Sequence, residues 1–175
     1  MFVNLTDVFT NEGKTVTMLA DAELQQITIG GEIFPIKDKT PISLTFTNIG
    51  KGKARVVGHA EVTLAMNCDR CLKPVDQTLD LAFDREVFAP DMMETIPDVQ
   101  DDQEFMDGYQ MDVDDFLNIE IVINWPMKVL CKPDCRGICR QCGTDLNTGT
   151  CDCDTFVPDP RMAVIKDIFI GNKEV

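Results

Sequence analysis

Eight cysteines fall in two stretches of the chain, Cys68-x2-Cys71 and then Cys131-x3-Cys135-x3-Cys139-x2-Cys142-x8-Cys151-x-Cys153. Four soft thiolates are what a tetrahedral ion such as zinc requires. A C-x2-C turn lets two sulfurs reach one ion while nearby backbone N–H groups donate to them. Gly143, directly after Cys142, suits the left-handed backbone that such a turn often needs, and Asn147 and Gly149 supply a bend that returns Cys151 and Cys153 toward the same ion. The preferred pairing is Cys139, Cys142, Cys151 and Cys153 at one site and Cys68, Cys71, Cys131 and Cys135 at a second. The one-residue gap between Cys151 and Cys153 is tight for two ligands of one ion, so Cys135 in place of either stays open. The second site also requires the turn at Cys68 to lie beside the end of a helix over 112–124; failing that, one zinc binds instead of two.

The rest of the sequence argues against other cysteine chemistry. Met1 to Thr10 mixes apolar residues with Asn4, Thr6 and Asp7 and carries no Lys or Arg, unlike a signal peptide. Uninterrupted apolar runs such as Ile121-Val122-Ile123 fall far short of the roughly 20 residues that span a bilayer. The expectation is a soluble, cytoplasmic chain whose thiols stay reduced and free for metal, not a set of disulfides. The spacing matches neither ferredoxin pattern, which argues against an iron–sulfur cluster. Cys68-Asp69-Arg70-Cys71 as a redox pair would sit at a strand-to-helix junction, and Pro74 with the strand pattern after it contradicts that. Catalytic zinc keeps an open position and recruits histidine or carboxylate, whereas the single histidine, His59, lies in a strand away from the cysteines and reads as an ordinary sheet residue. No phosphate-cradling glycine loop appears, and no small-molecule substrate is indicated.

The formal net charge is −14, from 30 acidic and 16 basic residues, which would ordinarily argue against nucleic acid. Twelve of the acids, and no Lys or Arg, lie between Glu86 and Met127, so the remainder is nearly neutral and leaves room for a local basic surface. That surface would be Arg70, Lys73, Lys128, Lys132, Arg136 and Arg140, interleaved with the cysteines. These cations offset the net charge of about −2 on a tetrathiolate zinc site, or they form a contact surface for RNA or a ribosomal protein. Trp125 could stack a base, although a lone Trp before a helix stop more often plugs a core.

The elements that must position these residues are mainly strands. Pro41 to Thr47, Ala54 to Met66 and Val75 to Phe88 alternate apolar and polar residues, with an irregularity expected at Gly58. Gly50-Lys51-Gly52 marks a hairpin, and Gly30-Gly31 an earlier turn between 26–28 and 33–36. Residues 89–110, rich in acids and holding Pro90, Pro97 and Gly108, read as a mobile acidic loop. Asp112 caps a helix over 112–124 with Asp114 and Asp115 in its first turn, although the β-branched run 119–123 also permits a strand; Pro126 stops it. Asp159-Pro160 opens a short closing helix that Gly171 ends. The fold class is therefore α+β: a curved antiparallel sheet or partial β-barrel, with a helix before a cysteine-rich zinc module and a short C-terminal helix. The expected division is a mainly β core over 1–127 and a cysteine-rich module over 128–175, packed as one unit.

The series Cys68-Asp69-Arg70-Cys71-Leu72, Trp125-Pro126-Met127-Lys128 running into Cys131-Lys132-Pro133-Asp134-Cys135, Gly137-Ile138-Cys139, Cys142-Gly143, Leu146-Asn147 and Asp159-Pro160-Arg161 resembles the YceD family over roughly two thirds of the chain. The resemblance implies a bacterial cytoplasmic protein linked to accumulation of the large-subunit (23S) ribosomal RNA, commonly encoded beside a ribosomal protein gene and without catalytic residues. Some members lack most of the later cysteines, which makes these scaffold. The expected function is a nonenzymatic ribosome-biogenesis factor that binds ribosomal RNA or a ribosomal protein of the large subunit, the acidic loop holding a basic protein or mimicking RNA. The alternatives are a thiol-redox or metal-dependent enzyme, and a structural zinc module of a larger complex.

Overall fold

The computed structural model describes residues 1–93 and 103–153. Its elements run β1 (Phe2–Asn4), α1 (Thr6–Thr10), β2 (Thr15–Ala20), β3 (Gln26–Ile29), β4 (Glu32–Lys39), β5 (Ile42–Gly50), β6 (Lys53–Asn67), β7 (Pro74–Phe88), α2 (Pro90–Met93), β8 (Met106–Asp107), β9 (Gln110–Asp112) and α3 (Val113–Ile123). The chain folds as two units, one made of Met1–Asn67 with Pro74–Val129, the other of Cys68–Lys73 with Leu130 onward.

In the first unit, β6 organises a six-stranded antiparallel sheet. Both β6 and β7 are 15 residues long and pair without a break from Lys53↔Phe88 to Asn67↔Pro74. On the other edge of β6, residues 53–59 pair with β5 and Val62–Leu64 with β4, so one strand serves both. The order is β2-β5-β6-β4-β3 with β7 on β6, and β2 and β3 do not pair, so the sheet is not a closed barrel. Period-two alternation buries one face: Leu44 and Phe46 from β5, Val56, Val62 and Leu64 from β6, Leu81 and Phe83 from β7. α3 covers that face with Phe116, Leu117 and Ile121, and the Phe116 ring meets Phe83 and Phe105 edge-on at 4.9 and 5.1 Å.

Helix α3 starts where expected. The Asp112 side chain accepts from the N–H groups of Asp114 and Asp115, and the helix holds through 119–123, so the strand alternative fails. Asp114 does more than favour the helix dipole, since its Oδ1 accepts the N–H groups of Glu23 and Leu24 at 2.6 and 2.8 Å. Buried Asn48 is likewise satisfied on both ends: its amide donates to the carbonyls of Val8 and Phe9, and its oxygen accepts from Gly50 N–H. Trp125 is half-buried against Phe34, 4.8 Å between rings, and serves as a core plug.

Two expectations are corrected. The described parts of 89–110 are turns interrupted by short elements, not an unbroken loop: α2 opens the stretch, Gln103 and Phe105 are buried, and β8 pairs with β9, which pairs with β1 to form a three-stranded sheet. The acids hid this because the anchoring residues, Phe105 with Met106 and Met111, are few apolar positions in a charged stretch with no regular period. Residues 94–102 of the expected loop, and the closing helix at 159–171, lie outside the described residues. Gly58 is the second correction. It breaks no register, pairing with Leu44 on one side and Phe83 on the other.

Gly58 is present because nothing larger fits. A Cβ there would lie 2.0 Å from the Ser43 carbonyl oxygen and 2.6 Å from the Phe83 ring. Gly58→Ala is expected to lower unfolding stability by about 2–3 kcal/mol through overpacking, read from the denaturant midpoint; an unchanged midpoint would mean that the sheet opens here at no cost.

Candidate metal centres

The cysteines are carried by the second unit, and two of its turns are built alike. In the Cys68–Lys73 loop, Leu72 N–H donates to the Cys68 carbonyl at 2.9 Å and Cys68 N–H to the Lys73 carbonyl at 2.8 Å. In the Cys139–Thr144 turn, Gly143 N–H donates to the Cys139 carbonyl at 2.9 Å and Cys139 N–H to the Thr144 carbonyl at 2.8 Å. Each turn closes on a left-handed residue, Leu72 with φ 59° and Gly143 with φ 74°. The glycine announces itself in the sequence, and Leu72 does not, because a leucine there bears a steric cost of roughly 1–2 kcal/mol.

The two turns lie against each other. Ile138 N–H donates to the Arg70 carbonyl at 3.1 Å, and Gly137, at φ 82°, lets that carbonyl approach so closely that a Cβ would stand 2.8 Å from it. An isolated bridge pairs Ile138 with Asp145, and Lys73 reaches Asp145 at 2.6 Å. The Lys73 ammonium and the Asn147 amides hold the Asp145 carboxyl down at about 2.

The eight sulfurs sort into two sets of four, Cys68, Cys71, Cys131 and Cys135, and Cys139, Cys142, Cys151 and Cys153, with all members of a set within 4.8 Å of one another. Cys135 therefore does not displace Cys151 or Cys153. The Cys68–Cys135 and Cys71–Cys131 sulfurs are 3.8 and 3.5 Å apart, and all eight cysteines are free thiols. Four sulfurs at about 2.3 Å from a tetrahedral ion stand about 3.8 Å from one another, so the spacing fits a metal ion and is far from the roughly 2.05 Å of a disulfide.

Four thiols this close cannot all ionise without a cation between them. In the first set, burial opposes ionisation of Cys68, but N–H groups of Cys131, Cys71 and Arg70 overcome it and hold the thiol down at about 6. Its neighbour Cys131, hydrogen-bonded to Cys71, is pushed up to about 12. Cys135 is lowered against burial by Gly137 N–H and by the Asn147 amide, 3.5 Å from its sulfur. In the second set the Thr144 hydroxyl, 3.1 Å away, and its N–H bring Cys142 to about 6, while Cys153 beside that thiolate rises to about 12. A divalent ion reverses this division, since every sulfur it binds is a thiolate. Thr144 and Asn147 are the supporting residues that cysteine spacing alone could not single out.

The basic residues separate by role. Arg70 donates to the Cys135 carbonyl and Lys73 is held by Asp145, so both brace the cysteine turns. Lys132, Arg136 and Arg140 are exposed on the second unit, Lys132 standing 3.9 Å from Asp134, and Lys128 is exposed near the end of the first. His59 lies in β6 with its Nε2 2.6 Å from Asp80, and belongs to neither cysteine set. Among the described residues no helix is long and apolar enough to cross a membrane.

Residues 56–169 match the family described as "Large ribosomal RNA subunit accumulation protein YceD". A maize protein named "Large ribosomal RNA subunit accumulation protein YCED homolog 1, chloroplastic" is 26% identical over 137 residues, 59% of this chain and 45% of that protein. An uncharacterized protein of Mycobacterium bovis, and its counterpart in Mycobacterium tuberculosis, are 29% identical over 92 residues, 52% of this chain and 44% of theirs. The chain thus spans less than half the length of these curated relatives. No solved structure matches it.

Because Cys131 and Cys153 hold their protons at neutral pH, metal binding must expel at least one proton per site. Apparent affinity therefore rises with pH, by about tenfold per unit for each proton released. Titration with Co²⁺ at pH 6.5 and 7.5, followed by thiolate-to-metal absorption, should show that rise and two ions per chain; a pH-independent affinity would contradict it.

Proposed function

Since the chain belongs to the YceD family, we propose that it is a nonenzymatic ribosome-biogenesis factor of the cytoplasm, supporting accumulation of large-subunit ribosomal RNA by binding that RNA or a ribosomal protein of the large subunit. The observation that carries this reading is the family match over residues 56–169, which takes in both cysteine clusters. On this reading both clusters hold structural zinc, whose preference for four thiolates in a closed tetrahedron suits them. With all four positions filled by sulfur, no site is left for water or substrate, and the clusters serve to fix the two turns. The exposed Lys132, Arg136 and Arg140 then supply contacts to phosphate or to an acidic protein face.

A thiol-dependent enzyme is the competing class, and exposed Cys142, with its lowered thiol, is the residue that would carry it. Ligation to zinc removes that nucleophile from use. Rapid alkylation of a single cysteine in the zinc-loaded protein would favour the enzyme. A structural zinc module of a larger complex is the other alternative, and it calls for no RNA binding by the isolated chain.

Depleting the protein in its host should lower large-subunit ribosomal RNA relative to small-subunit RNA. Expression of the wild-type chain should restore the ratio, while Lys132→Glu/Arg136→Glu/Arg140→Glu should not, despite normal zinc content. An unchanged ratio on depletion would sink the proposal.

A further inference from the structure

Strand β7 uses one edge to pair with β6 and, among the described residues, nothing pairs with the other. Two hydrogen bonds fix which groups face outward: Phe88 N–H turns away from β6 to the Gln103 side chain at 2.7 Å, and Ala89 N–H turns back to the Gly52 carbonyl at 2.8 Å. Carbonyl and N–H directions alternate along a strand, and the pairing with β6 has no bulge, so the backbone groups of Asp76, Thr78, Asp80, Ala82, Asp84 and Glu86 all point outward. Edges this long are normally blunted by proline, a bulge, a covering element or charged side chains, and the charges on β7 are mostly spent on partners within the fold, Asp76 on Lys37, Asp84 on Arg55 and Arg85 on Glu120. Here Pro74 stands only at the start, and the strand runs unbulged from it to Phe88.

At the C-terminal end of this edge lies a cleft of about 550 Å³ with apolar walls from Phe88, Phe105, Ile119 and Ile123. Gln103 closes its end in the manner of a neighbouring strand. Its Oε1 takes the Phe88 N–H, and its Nε2 is left without a partner on a side chain only 4% exposed. A buried donor of this kind is costly unless an acceptor meets it. On the cleft's polar rim, Arg55 holds Asp84 and Arg85 holds buried Glu120 at 2.9 Å, whereas Glu86, across the ladder from Arg55, and Glu104 form no ion pair among the described residues.

We propose that the outer edge of β7 is a docking strip for an extended, basic polypeptide segment, which adds to it as a further strand and seats an apolar side chain in the cleft. The exposed backbone supplies the ladder bonds, and a turn of the Gln103 side chain brings its unpartnered amide to an incoming carbonyl. Side chains of an added strand stand beside those of the outward-paired residues, so Lys or Arg falls next to Glu86 and Glu104, with apolar residues alternating toward the cleft. The same carboxylates disfavour RNA. A second β7 edge brings no free cation to Glu86 and Glu104, because its only basic residue, Arg85, is held by Glu120, so a second copy of this chain does not fit. The proposal requires only a basic segment, and holds or fails separately from the ribosomal reading.

The test uses the full chain and short synthetic probes in fluorescence anisotropy: a peptide alternating Lys and Val, an all-Lys peptide of equal length, a Glu–Val peptide, and a single-stranded RNA. The Lys–Val peptide should bind best and lose affinity as salt is raised. Glu86→Lys/Glu104→Lys should weaken it by about tenfold or more. Glu86→Pro, which removes an outward N–H and no bond to β6, should abolish binding with the thermal midpoint retained. The proposal is overturned if all-Lys binds as well as Lys–Val, if RNA competes for the strip, if Glu86→Pro binds normally, or if sedimentation shows a dimer that Glu86→Pro dissociates.

Discussion

The unbroken register of β6 on β7 is the constraint from which most of this structure follows. With a period of two and no slip between Lys53↔Phe88 and Asn67↔Pro74, every buried position of β7 is assigned once one is. Phe83 must lie over Gly58, α3 must cover the face that carries Phe83, and the acids of β7 must stand on the opposite face. The same register delivers Cys68 and Cys71 at the turn of the hairpin, where a loop of fixed length closes with the same pair of backbone hydrogen bonds as the Cys139–Thr144 turn. A shift of one residue would turn the core of β7 to solvent and detune that loop together.

The cysteine unit applies one backbone device twice, with different exposure. In the first set Cys68, Cys71 and Cys135 are buried and Cys131 alone is exposed; in the second Cys139 is buried, Cys142 exposed and the remaining two half-buried. Equal ligand chemistry in unequal surroundings gives unequal access to chelators and oxidants, with the second set the more open. Arg70 and Lys73 show how nearby cations are used: one ties a guanidinium to the Cys135 carbonyl, the other pairs with Asp145, and so both hold the knuckles in place before any partner is considered.

Legibility in the sequence follows periodicity and chemistry closely. Long alternating segments mark β5, β6 and β7, paired glycines mark the hairpins, and Asp112 marks the start of α3, because each of these signals is local. The sorting of eight cysteines into two fours is also accessible, since ligand spacing restricts which sulfurs can meet. What stays hidden depends on partners distant in sequence. Phe105 and Met111 lie in a charged stretch with no clear period until α3 and β1 are in place; Glu120 looks like one more surface acid although it is buried and held by the exposed Arg85; Leu72 gives no sign of its left-handed backbone. Gly58 reads as an irregularity because a glycine in a strand signals either a bulge or a close approach, and only the packed Phe83 ring distinguishes the two.

The two sulfur sets also differ in how far the chain must travel to assemble them. Cys139 to Cys153 are gathered from one short stretch, whereas Cys68 meets Cys135 across 67 residues and Cys71 meets Cys131 across 60. Loop closure grows costlier by about 0.6 kcal/mol for each doubling of length, so the distant assembly is disfavoured on this account by about 1.3 kcal/mol. Contacts between residues distant in sequence are also the slower to form, and the first set depends on them while the second does not. During synthesis from the N-terminus, the knuckle that emerges first is thus completed by residues that appear long afterwards, and its two thiols spend that interval without their partners.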